Sequence, residues 1–512
     1  MTIEDVLFSP FILVGLIFGM MSLLLNHNGQ IKFSILFLIL AGACIMLQAI
    51  SYDNFLNVWD ERFHALVSKN LTSNFLKPTL YNNVPFDFDH SGWDKEIIWL
   101  HKQPLFLWQM MLALKYFGLN EISVRLPSFL LIVFSIYPIY RIGYIWLSRS
   151  SGIVLSLLII SSNYIIELVA GRNATDHNDL VFFVYVSLSF WAWTEYQLKK
   201  NNAWLIVLGL LVGFAVLTKW LVGLIVFFGW SVTIIVYYKK NVLEIKKLLF
   251  TFFISAITFI PWQIYSLINY PVEAKKEMGY NSLHFFKALE GHRGEWNYHL
   301  NMFDALFGKY SLILFLLGIL FFCFSRFSNK RIGVFFISMI FGVELFFGFA
   351  KTKMPSFTMI LGIPILFFIS FLFYRLEKYF LRRNIPKAQF GLILIVFLLF
   401  FTKVDFKELR QNHQITNSNN YQGIMTHNAL QFKKFSHENP GTVVFNVKGR
   451  QYVEGMFYSN CLFFNFYPSE LQLNKCYEAG RKVIILHDEE IDKKWKTDKR
   501  VVYQKSKFKG NF

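Results

Sequence analysis

Two adjacent carboxylic acids, Asp60 and Glu61, follow directly after an apolar stretch in NFLNVWDERFHALVSKNL. On a helix, neighbouring side chains point about 100° apart, so one acid could face a substrate while the other holds a partner or a metal. A carboxylate at a partly dehydrated membrane edge has a raised proton affinity, which suits removal of a proton from an acceptor hydroxyl or amine. The alternative is a helix N-terminus that carries acids because the helix dipole favours them.

A second group of ionisable residues crowds into GRNATDHNDL, between two apolar runs. It contains Arg172, Asp176, His177 and Asp179. Carboxylates in such a turn can hold a divalent cation or an attacking group, particularly when another acidic pair faces them. A solvated loop would have the same composition, and both interpretations stay open from the residues alone.

Three lysines lie in turns that the alternation of apolar helices, described below, places on the outer side of a membrane. That side carries few other cations. The three lysines are Lys219 in VLTKWLVG and Lys351 and Lys353 in FAKTKMPSF, and each falls in a short turn. A lysine kept at such a position usually has an anion to bind, and a lipid-linked phosphate or pyrophosphate is the natural anion at a membrane interface. The three lysines together therefore favour a phosphate site on this side.

His101 and Lys102 precede the apolar stretch PLFLWQMMLALKYFG, and Arg125 follows it in EISVRLPSF. The apolar stretch is short for a membrane span, so we predict a helix that lies along the interface. Lys102 would then lie at the edge of the membrane. A lysine that merely extends its ammonium group toward water is the alternative.

The segment SLHFFKALEGHRGEWNYHL combines histidines with aromatic rings, among them Tyr298. Such side chains could pack on a sugar face, bind a metal, or form an interfacial aromatic belt. A divalent metal such as Mg, Mn or Zn, held by His284 and His292, is one interpretation. The spacings between the histidines match no common zinc motif, so spacing by itself does not indicate a metal.

The composition indicates what kind of protein must position these groups. Of 512 residues, 54% are hydrophobic and 19% aromatic, while only 16% are charged. A soluble domain of this length needs more charge to cover its surface, so a polytopic membrane protein is predicted. The formal net charge of +18 then reflects cytoplasmic loops rich in Lys and Arg, and not nucleic-acid binding.

About twelve runs are long and apolar enough to predict membrane helices. They lie near 6–25, 33–52, 123–146, 151–170, 179–196, 203–218, 220–238, 248–266, 306–325, 332–350, 357–374 and 388–402. The first run has an acidic start and no cleavage site, so a retained helix with an outside N-terminus is predicted. Alternation places the loops rich in Lys and Arg inside, and the predicted first loop (53–122), second loop (171–178) and C-terminal segment (403–512) outside.

The C-terminal segment has mixed polarity and is predicted to form a small, soluble α/β domain in the periplasm. TVVFNV and KVIILHD are typical of short buried strands, and LQLNKCYEAG is typical of a helix. Cys461 and Cys476 could pair there or remain two free thiols. Nucleotide-binding glycine motifs and zinc-finger spacings are absent from the sequence.

Six segments in order over about residues 55–365 resemble the polyprenyl-phosphate-dependent integral membrane glycosyltransferases of the glycosyltransferase C fold, which include aminoarabinose transferase and the protein O-mannosyltransferases. WDERFHALVSKNL resembles the family's D-E-x-x-Y-A block, and HKQPLFLWQ with FGLNEISVRLPS resembles its K-P-P-L and R-L-P segments. GRNATDHNDL, LTKW, PWQIY and KMPSFTMILGIP are similar to its second-loop, L-T-K-G, P-W-Y and K-x-P-x-Y segments.

This resemblance implies a role for each matching residue. Asp60 matches the catalytic acid, Glu61 its orienting neighbour, and Asp176 the second-loop acid. Basic positions associated with the lipid phosphate are matched by Arg62, Lys102 and Lys353. His284 and His292 fall where the family has histidines before its W-Y-Y segment, which is WNY with Tyr298 here.

Some positions depart from the family pattern. Gln103 replaces the first Pro of K-P-P-L, Trp220 replaces the Gly after Lys219, and Phe357 replaces a Tyr whose hydroxyl could bind phosphate. An additional helix is predicted before the first-loop motif. These departures affect the lipid-binding contacts and leave the reaction class unchanged.

The predicted function is inverting transfer of a sugar from a polyprenyl-phosphate donor to lipid A, another glycan, a protein or a membrane lipid. Asp60 would take the acceptor's proton, and Lys102, Lys219 and Lys353 would stabilise the departing phosphate. The predicted location is the bacterial inner membrane, with the site facing the periplasm. The main alternative is a flippase for lipid-linked sugars, although a transporter would place ionisable groups near mid-membrane and often in repeats. A scaffold subunit is the second alternative, but it gives no reason for these acids and lysines to share a side.

Overall fold

A computed structural model describes residues 8–238, 241–326, 329–411, 421–487 and 500–510 of the chain. These residues form two compact units. We call the first the helical unit, which comprises Met1–Ala49, Ser128–Val169 and His177–Asn412. We call the second the loop unit, which comprises Ile50–Pro127, Ala170–Asp176 and His413–Phe512. Both predicted outside loops therefore fall mostly in the same unit as the C-terminal segment.

The secondary structure is mostly α-helical. In chain order up to residue 411, the helices are α1 (Pro10–His27), α2 (Ile31–Ser51), α3 (Asp60–Leu71), α4 (Leu105–Phe117), α5 (Glu121–Trp146), α6 (Arg149–Ile160), α7 (Asn163–Val169), α8 (Asp176–Lys199), α9 (Ala203–Lys219), α10 (Ile225–Tyr237), α11 (Val242–Asn269), α12 (Pro271–Phe286), α13 (Tyr298–Asn301), α14 (Phe303–Phe307), α15 (Ser311–Phe324), α16 (Arg331–Phe349), α17 (Gly362–Arg382), α18 (Pro386–Lys403) and α19 (Phe406–Gln411). Short 3-10 helices span Trp220–Leu224 and Pro355–Leu361.

Within the described residues, each of the twelve predicted runs overlaps a helix, as expected for a chain whose backbone polar groups must be satisfied within lipid. Among the described residues, eight segments are long and apolar enough to cross a membrane, or nine if the bent pair α6 and α7 forms one span. The mostly α, polytopic fold predicted from the sequence is therefore confirmed.

Fewer than twelve segments of the described residues meet this criterion, for three physical reasons. The runs at 203–218 and 220–238 join through a 3-10 turn into one segment, Ala203–Tyr237. α15 has only 14 residues, which is shorter than a bilayer requires. α8 is continuous but begins DHND and ends TEYQLK, so its composition is more polar than that of a typical span.

Small residues bring helices close together in the helical unit. Gly209 and Gly213 lie one turn apart on α9, and a Cβ built at either position would come within 3 Å of a side chain of α11. The nearest atoms belong to Ile254 and Thr258. Since lipid offers no hydrophobic drive for helices to associate, such close backbone packing stabilises the pair through dispersion contacts.

The C-terminal part of the loop unit is a small α/β structure, as predicted. It contains α20 (Tyr421–Glu438), β1 (Val443–Phe445), α21 (Gln451–Tyr458), β2 (Leu462–Phe463), α22 (Glu470–Glu478), β3 (Val483–His487) and β4 (Val501–Lys505). The four strands are parallel in the order β2-β1-β3-β4. A capping box of Ser469 and Gln472 starts α22, which satisfies two backbone N–H groups.

The strands β1 and β3 and the helix α22 lie where the sequence predicts them, whereas β2 and β4 were not predicted. β2 has only two residues, and β4 has an alternating, half-exposed pattern next to residues that the structure does not describe. Cys461 and Cys476 are both buried and free, so the alternative of two free thiols holds.

Aromatic rings of the first loop pack against this sheet. Tyr81 stacks on Phe464 with 5.4 Å between ring centroids, and Phe86 stacks on Phe445 at 5.6 Å. All four rings are buried, and aromatic pairs at such distances add to the hydrophobic gain of burial. This shared core explains why the first loop and the C-terminal segment form one compact unit.

Candidate functional site

The first predicted acid, Asp60, forms an ion pair with Lys102 in the loop unit. Their carboxylate and ammonium groups are 3.3 Å apart, and the two side chains are 13% and 17% exposed. Asp60 begins α3, while Lys102 lies just before α4. The predicted proximity of these two residues, which are far apart in the sequence, is therefore present in the structure.

The ion pair determines the charge of the carboxyl group. Burial by itself would raise the pKa of Asp60, but the Lys102 ammonium, together with His64 and His101, outweighs burial. The pKa is held well below its usual range, because a nearby cation favours the charged form. Asp60 is therefore a carboxylate at neutral pH, able to accept a proton but weakly basic while Lys102 stays beside it.

The second-loop acid, Asp176, lies against the same helix through His64. His64 is one turn after Asp60 on α3, and its Nδ1 atom is 2.9 Å from Asp176 Oδ1. Both side chains are almost fully buried. Asp176 and its neighbour Thr175 have positive φ angles, 23° and 67°, which are costly for non-glycine residues. The structure thus ties the second loop to the helix of the candidate base.

Glu61 faces the protein interior, where it meets Arg125. Both side chains are fully buried, and Arg125 Nε lies 2.7 Å from Glu61 Oε1. The other donors of the guanidinium reach Glu61 Oε2 and the carbonyl oxygens of Ile50, Asp53 and Phe55. Since all five N–H groups have acceptors within the protein, this pair holds the first loop in shape. The predicted roles of Glu61 in catalysis and of Arg125 in lipid binding stay predictions.

Arg62 also has a partner inside the loop unit. It lies 3.2 Å from Glu454 of α21, and the two side chains are 1% and 0% exposed. Burial raises the pKa of Glu454 to about 7, and Arg62 acts against this rise. The predicted contact of Arg62 with a lipid phosphate has no support from this buried position and stays a prediction.

A glycine of the second loop makes room for the Glu61 carboxylate. Gly171 has φ +73°, and a Cβ there would lie 2.1 Å from Glu61 Oε1. Replacing Gly171 by alanine should therefore displace Glu61 and weaken its pairing with Arg125, with a loss of about 3 kcal/mol or more of unfolding free energy. Chemical or thermal unfolding of the detergent-solubilised protein measures this loss.

Gly480 provides the matched control for this prediction. It also has a positive φ, +67°, but no atom lies within 4 Å of a Cβ built there. Gly480→Ala should cost only the backbone strain, about 1 kcal/mol. Equal losses in the two variants would contradict the proposed crowding at Gly171.

In the helical unit, Lys219 forms an ion pair with Asp179 at the start of α8. Its Nζ atom also lies 5.1 Å from the ring centroid of Phe357, the residue that replaces the family's tyrosine. A cation over an aromatic face is attracted by the ring quadrupole. Asp179 was not predicted as a partner of Lys219, since nothing in their spacing links them.

Lys353 lies at the C-terminus of α16. Its buried ammonium donates to the carbonyl oxygens of Phe347, at 2.6 Å, and Gly348, at 2.7 Å. Burial and the nearby Lys351 lower its pKa. A cation at this end of a helix is favourable because the last carbonyls carry partial negative charge. The phosphate-binding roles predicted for Lys351 and Lys353 stay predictions.

Backbone hydrogen bonds hold the predicted histidine segment to the same turn. The amides of Thr352 and Lys353 donate to the carbonyls of His284 and His292, and His284 Nδ1 lies 3.1 Å from the Thr352 hydroxyl. Among the described residues, no group of three or more His, Cys, Asp or Glu side chains could hold a metal ion. The metal role predicted for His284 and His292 stays a prediction, and we derive no chemical step through a metal.

His299, which follows Tyr298, is more enclosed than either predicted histidine. It is 2% exposed, and neither ring nitrogen has a hydrogen-bond partner among the residues that the structure describes. Burial and Lys353 lower its pKa to about 4, so its imidazole is neutral at neutral pH. Burial also raises the pKa of Tyr298, whose predicted role in substrate binding stays a prediction.

Some residues beside Asp60 were not predicted. His64 could have been suggested by its position four residues after Asp60, since such residues share a helix face. No pattern in the sequence indicates Trp59, Trp93 or Arg450. Arg450 belongs to the C-terminal segment and lies close to Trp59 only in the folded loop unit. There its guanidinium carbon is 4.2 Å from the Trp59 ring centroid.

The chain is similar in sequence to membrane glycosyltransferases. Residues 101–265 match the model of the dolichyl-phosphate-mannose-protein mannosyltransferase family. An uncharacterised protein of Aquifex aeolicus is 32% identical over 167 residues, or 32% of this chain and 30% of its own length. An undecaprenyl phosphate-alpha-4-amino-4-deoxy-L-arabinose arabinosyl transferase of Wigglesworthia glossinidia brevipalpis is 27% identical over 200 residues, or 38% and 32%. The chain thus matches about a third of the length of these curated relatives.

Two solved structures resemble the fold over most of the chain. ArnT from Cupriavidus metallidurans, bound to undecaprenyl phosphate, has a TM-score of 0.60 at 12% identity and covers 87% of this chain and 88% of its own. The oligosaccharyltransferase AglB from Archaeoglobus fulgidus, in complex with an inhibitory peptide and a dolichol-phosphate, has a TM-score of 0.53 at 11% identity, with coverages of 84% and 64%. The matches confirm the predicted resemblance, and at these identities the structural likeness is one of fold.

Proposed function

We propose that this chain, which has the glycosyltransferase C fold, is a membrane glycosyltransferase that moves a sugar from a polyprenyl-phosphate donor to an extracytoplasmic acceptor. The observation that supports this proposal most directly is the ion pair of Asp60 and Lys102 at the start of α3. The pair provides a proton acceptor and a cation for phosphate at one place, and both are what such a transfer requires.

In the proposed reaction, an acceptor O–H or N–H group attacks the anomeric carbon of the donor sugar. The bond between that carbon and the phosphate oxygen breaks, and polyprenyl phosphate leaves from the opposite face with inversion. The acceptor's proton passes to Asp60, while the positive charge of Lys102 stabilises the phosphate as its negative charge increases.

The ion pair of Lys102 and Asp60 can link donor binding to activation of the base. A donor phosphate that draws the Lys102 ammonium away from Asp60 removes the charge that holds the Asp60 pKa low. The carboxylate then becomes a stronger base only when donor is bound. His64 and Asp176 hold α3 in position through their 2.9 Å contact, and Glu61 with Arg125 does so from the interior.

The proposed setting is the bacterial inner membrane, with the candidate site facing the periplasm. The proposed donor is an undecaprenyl-phosphate-type sugar, and lipid A, another glycan, a protein or a membrane lipid is the acceptor. Lys219, Lys351 and Lys353 are proposed to contribute to binding of the lipid phosphate, and each is open to test by substitution with methionine.

Removal of the Lys102 charge should shift the pH dependence of the reaction. Because Lys102 lowers the pKa of Asp60, Lys102→Met should raise that pKa and move the acid limb of the kcat/KM profile to higher pH. The expected shift is about one pH unit or more, since kcat/KM reports the groups of the free enzyme. Lys102→Arg keeps the charge and should keep the limb near its wild-type position. An acid limb that stays in place in Lys102→Met would contradict the proposed coupling.

The function itself is tested by incubating the full chain in lipid nanodiscs with a radiolabelled undecaprenyl-phosphate sugar and envelope extract. We expect label to move into acceptor material with release of undecaprenyl phosphate, and the Asp60→Asn variant to release it at least about 10²-fold more slowly. A flippase would move the lipid between leaflets of a proteoliposome without breaking the sugar–phosphate bond. Intact donor after many turnovers of lipid movement would therefore replace the transferase assignment with the transporter.

A further inference from the structure

Trp59, the residue directly before Asp60, has an unusual backbone conformation. Its φ is 72° and its ψ is −130°, a region that is costly for a residue with a large side chain. Such strain persists only where the surrounding structure imposes it, and it is concentrated at functional sites. Trp59 is nevertheless 41% exposed, so its side chain is not held there by deep burial.

A column of flat groups extends from this side chain. The Arg450 guanidinium lies 4.2 Å from the Trp59 ring centroid and 5.6 Å from that of Trp93. Trp93 in turn stacks on His101 at 4.8 Å with an interplanar angle of 14°. His101 precedes Lys102, so both ends of the column adjoin the ion pair of Asp60 and Lys102.

Arg450, the cation in this column, has a weak ion pair with Asp94. Arg450 Nε lies 3.5 Å from the Asp94 carboxylate, and the two side chains are 32% and 22% exposed. This distance is at the limit of a hydrogen bond, and the guanidinium makes no other side-chain hydrogen bond within the described part of the chain, so it has donors available to a ligand. The exposed indole of Trp59 and the partly exposed guanidinium of Arg450 therefore lie together at the surface beside the candidate base.

We propose that Trp59 and Arg450 form the acceptor subsite of this transferase and that the acceptor group bound there is a sugar ring. The proposal rests on the function proposed above and narrows its acceptor from four chemical classes to a carbohydrate. We call this pair the acceptor platform. It receives one residue from the first loop and one from the C-terminal segment.

The chemistry of the platform fits a sugar ring better than a peptide. The C–H groups on one face of a pyranose can pack on the indole face that Arg450 does not cover, since the guanidinium lies over the other face. Hydroxyls that extend past the edge of the indole can accept hydrogen bonds from the planar guanidinium, whose donors are fixed in direction. A serine or threonine hydroxyl on an extended peptide offers no flat face that would use the exposed indole.

The position of the platform also fits the proposed reaction. Trp59 and Asp60 are consecutive, so their Cα atoms are about 3.8 Å apart, and the platform adjoins the start of the helix that carries the carboxylate. A nucleophile held in this position reacts as if in a unimolecular step, because its orientation toward the donor is already fixed. The strained backbone conformation of Trp59 would then orient both the indole and Asp60, the first residue of α3, toward the same ligand.

The test measures saccharide binding by the full chain in nanodiscs with saturation-transfer NMR. The probes are chitobiose, a disaccharide of N-acetylglucosamine, and a threonine-containing pentapeptide. We expect wild-type protein to bind chitobiose in preference to the peptide. Trp59→Leu and Arg450→Gln should each weaken chitobiose binding about tenfold, while Tyr467→Leu, which removes an exposed aromatic ring of the C-terminal segment (50% exposed), should leave it unchanged.

A glycine variant separates a binding role from a structural one. Because glycine adopts a positive φ without strain, Trp59→Gly should keep or raise the melting temperature and yet lose chitobiose binding. Binding that survives in Trp59→Gly and Arg450→Gln would overturn the platform, and so would preference for the peptide or absence of chitobiose binding in wild type. Retention of undecaprenyl phosphate, measured in the same samples, reports separately on the proposed transferase function, because the platform variants should leave it intact.

Discussion

Asp60→Asn is expected to reduce sugar transfer by about 10²–10⁴-fold, because asparagine keeps the size of the side chain but cannot accept the acceptor's proton. The carboxylate that would accept it is 3.3 Å from Lys102 and only 13% exposed. Folding should be preserved, since the interior contacts of α3 are made by Glu61, Arg62 and His64. The initial rate of label transfer from an undecaprenyl-phosphate sugar measures this effect.

Asp87→Asn is the matched control for this variant. Asp87 belongs to the same first loop, but its side chain is exposed and makes no contact that the mechanism uses. We expect its transfer rate to equal that of wild type. Turnover of Asp60→Asn at a rate close to that of Asp87→Asn would remove Asp60 from the mechanism.

Arg125→Met is expected to destabilise the protein by about 3–5 kcal/mol, the usual cost of removing one partner of a buried ion pair. The substitution leaves the Glu61 carboxylate buried and takes away the donors used by the first-loop carbonyls of Asp53 and Phe55 and by the carbonyl of Ile50 at the end of α2. Equilibrium unfolding in mixed detergent micelles measures the loss.

Lys434→Met serves as the control for the ion pair. Lys434 lies 3.8 Å from Glu438 on α20, and both side chains are largely exposed, at 63% and 49%. An exposed pair contributes no more than about 1 kcal/mol, so this variant should unfold nearly like wild type. An Arg125→Met protein as stable as Lys434→Met would show that the buried pair does not hold the first loop.

The parts of the fold that could be predicted from the sequence are those set by local pattern. Apolar runs must form helices in lipid, so each of the twelve runs overlaps a helix in the part of the chain that the structure describes. TVVFNV and KVIILHD became β1 and β3 because short runs rich in Val and Ile suit buried strands. The number of spans could not be predicted in the same way, since the joining of two runs at Trp220–Leu224 depends on how the helices pack.

Some residues of the candidate site could likewise be predicted from the sequence and others could not. Asp60 and Lys102 were predicted together because motif order and topology place both at one membrane edge. The burial of Glu61, Arg62 and Arg125 could not be predicted, since a charged residue near an apolar run looks the same whether it faces a ligand or a distant partner such as Glu454. Trp59 and Arg450 come together only through the core that the first loop shares with the sheet.

Native mass spectrometry of the full chain with undecaprenyl phosphate and with undecaprenol tests most directly whether the pair of Asp60 and Lys102 is a phosphate site. Wild-type protein should retain the phosphate and release the alcohol, and Lys102→Met should lose most of this preference. Asp60→Asn should retain the phosphate at least as well as wild type, because the competing carboxylate is gone. Equal retention of both lipids by wild type, or an unchanged preference in Lys102→Met, would contradict the account.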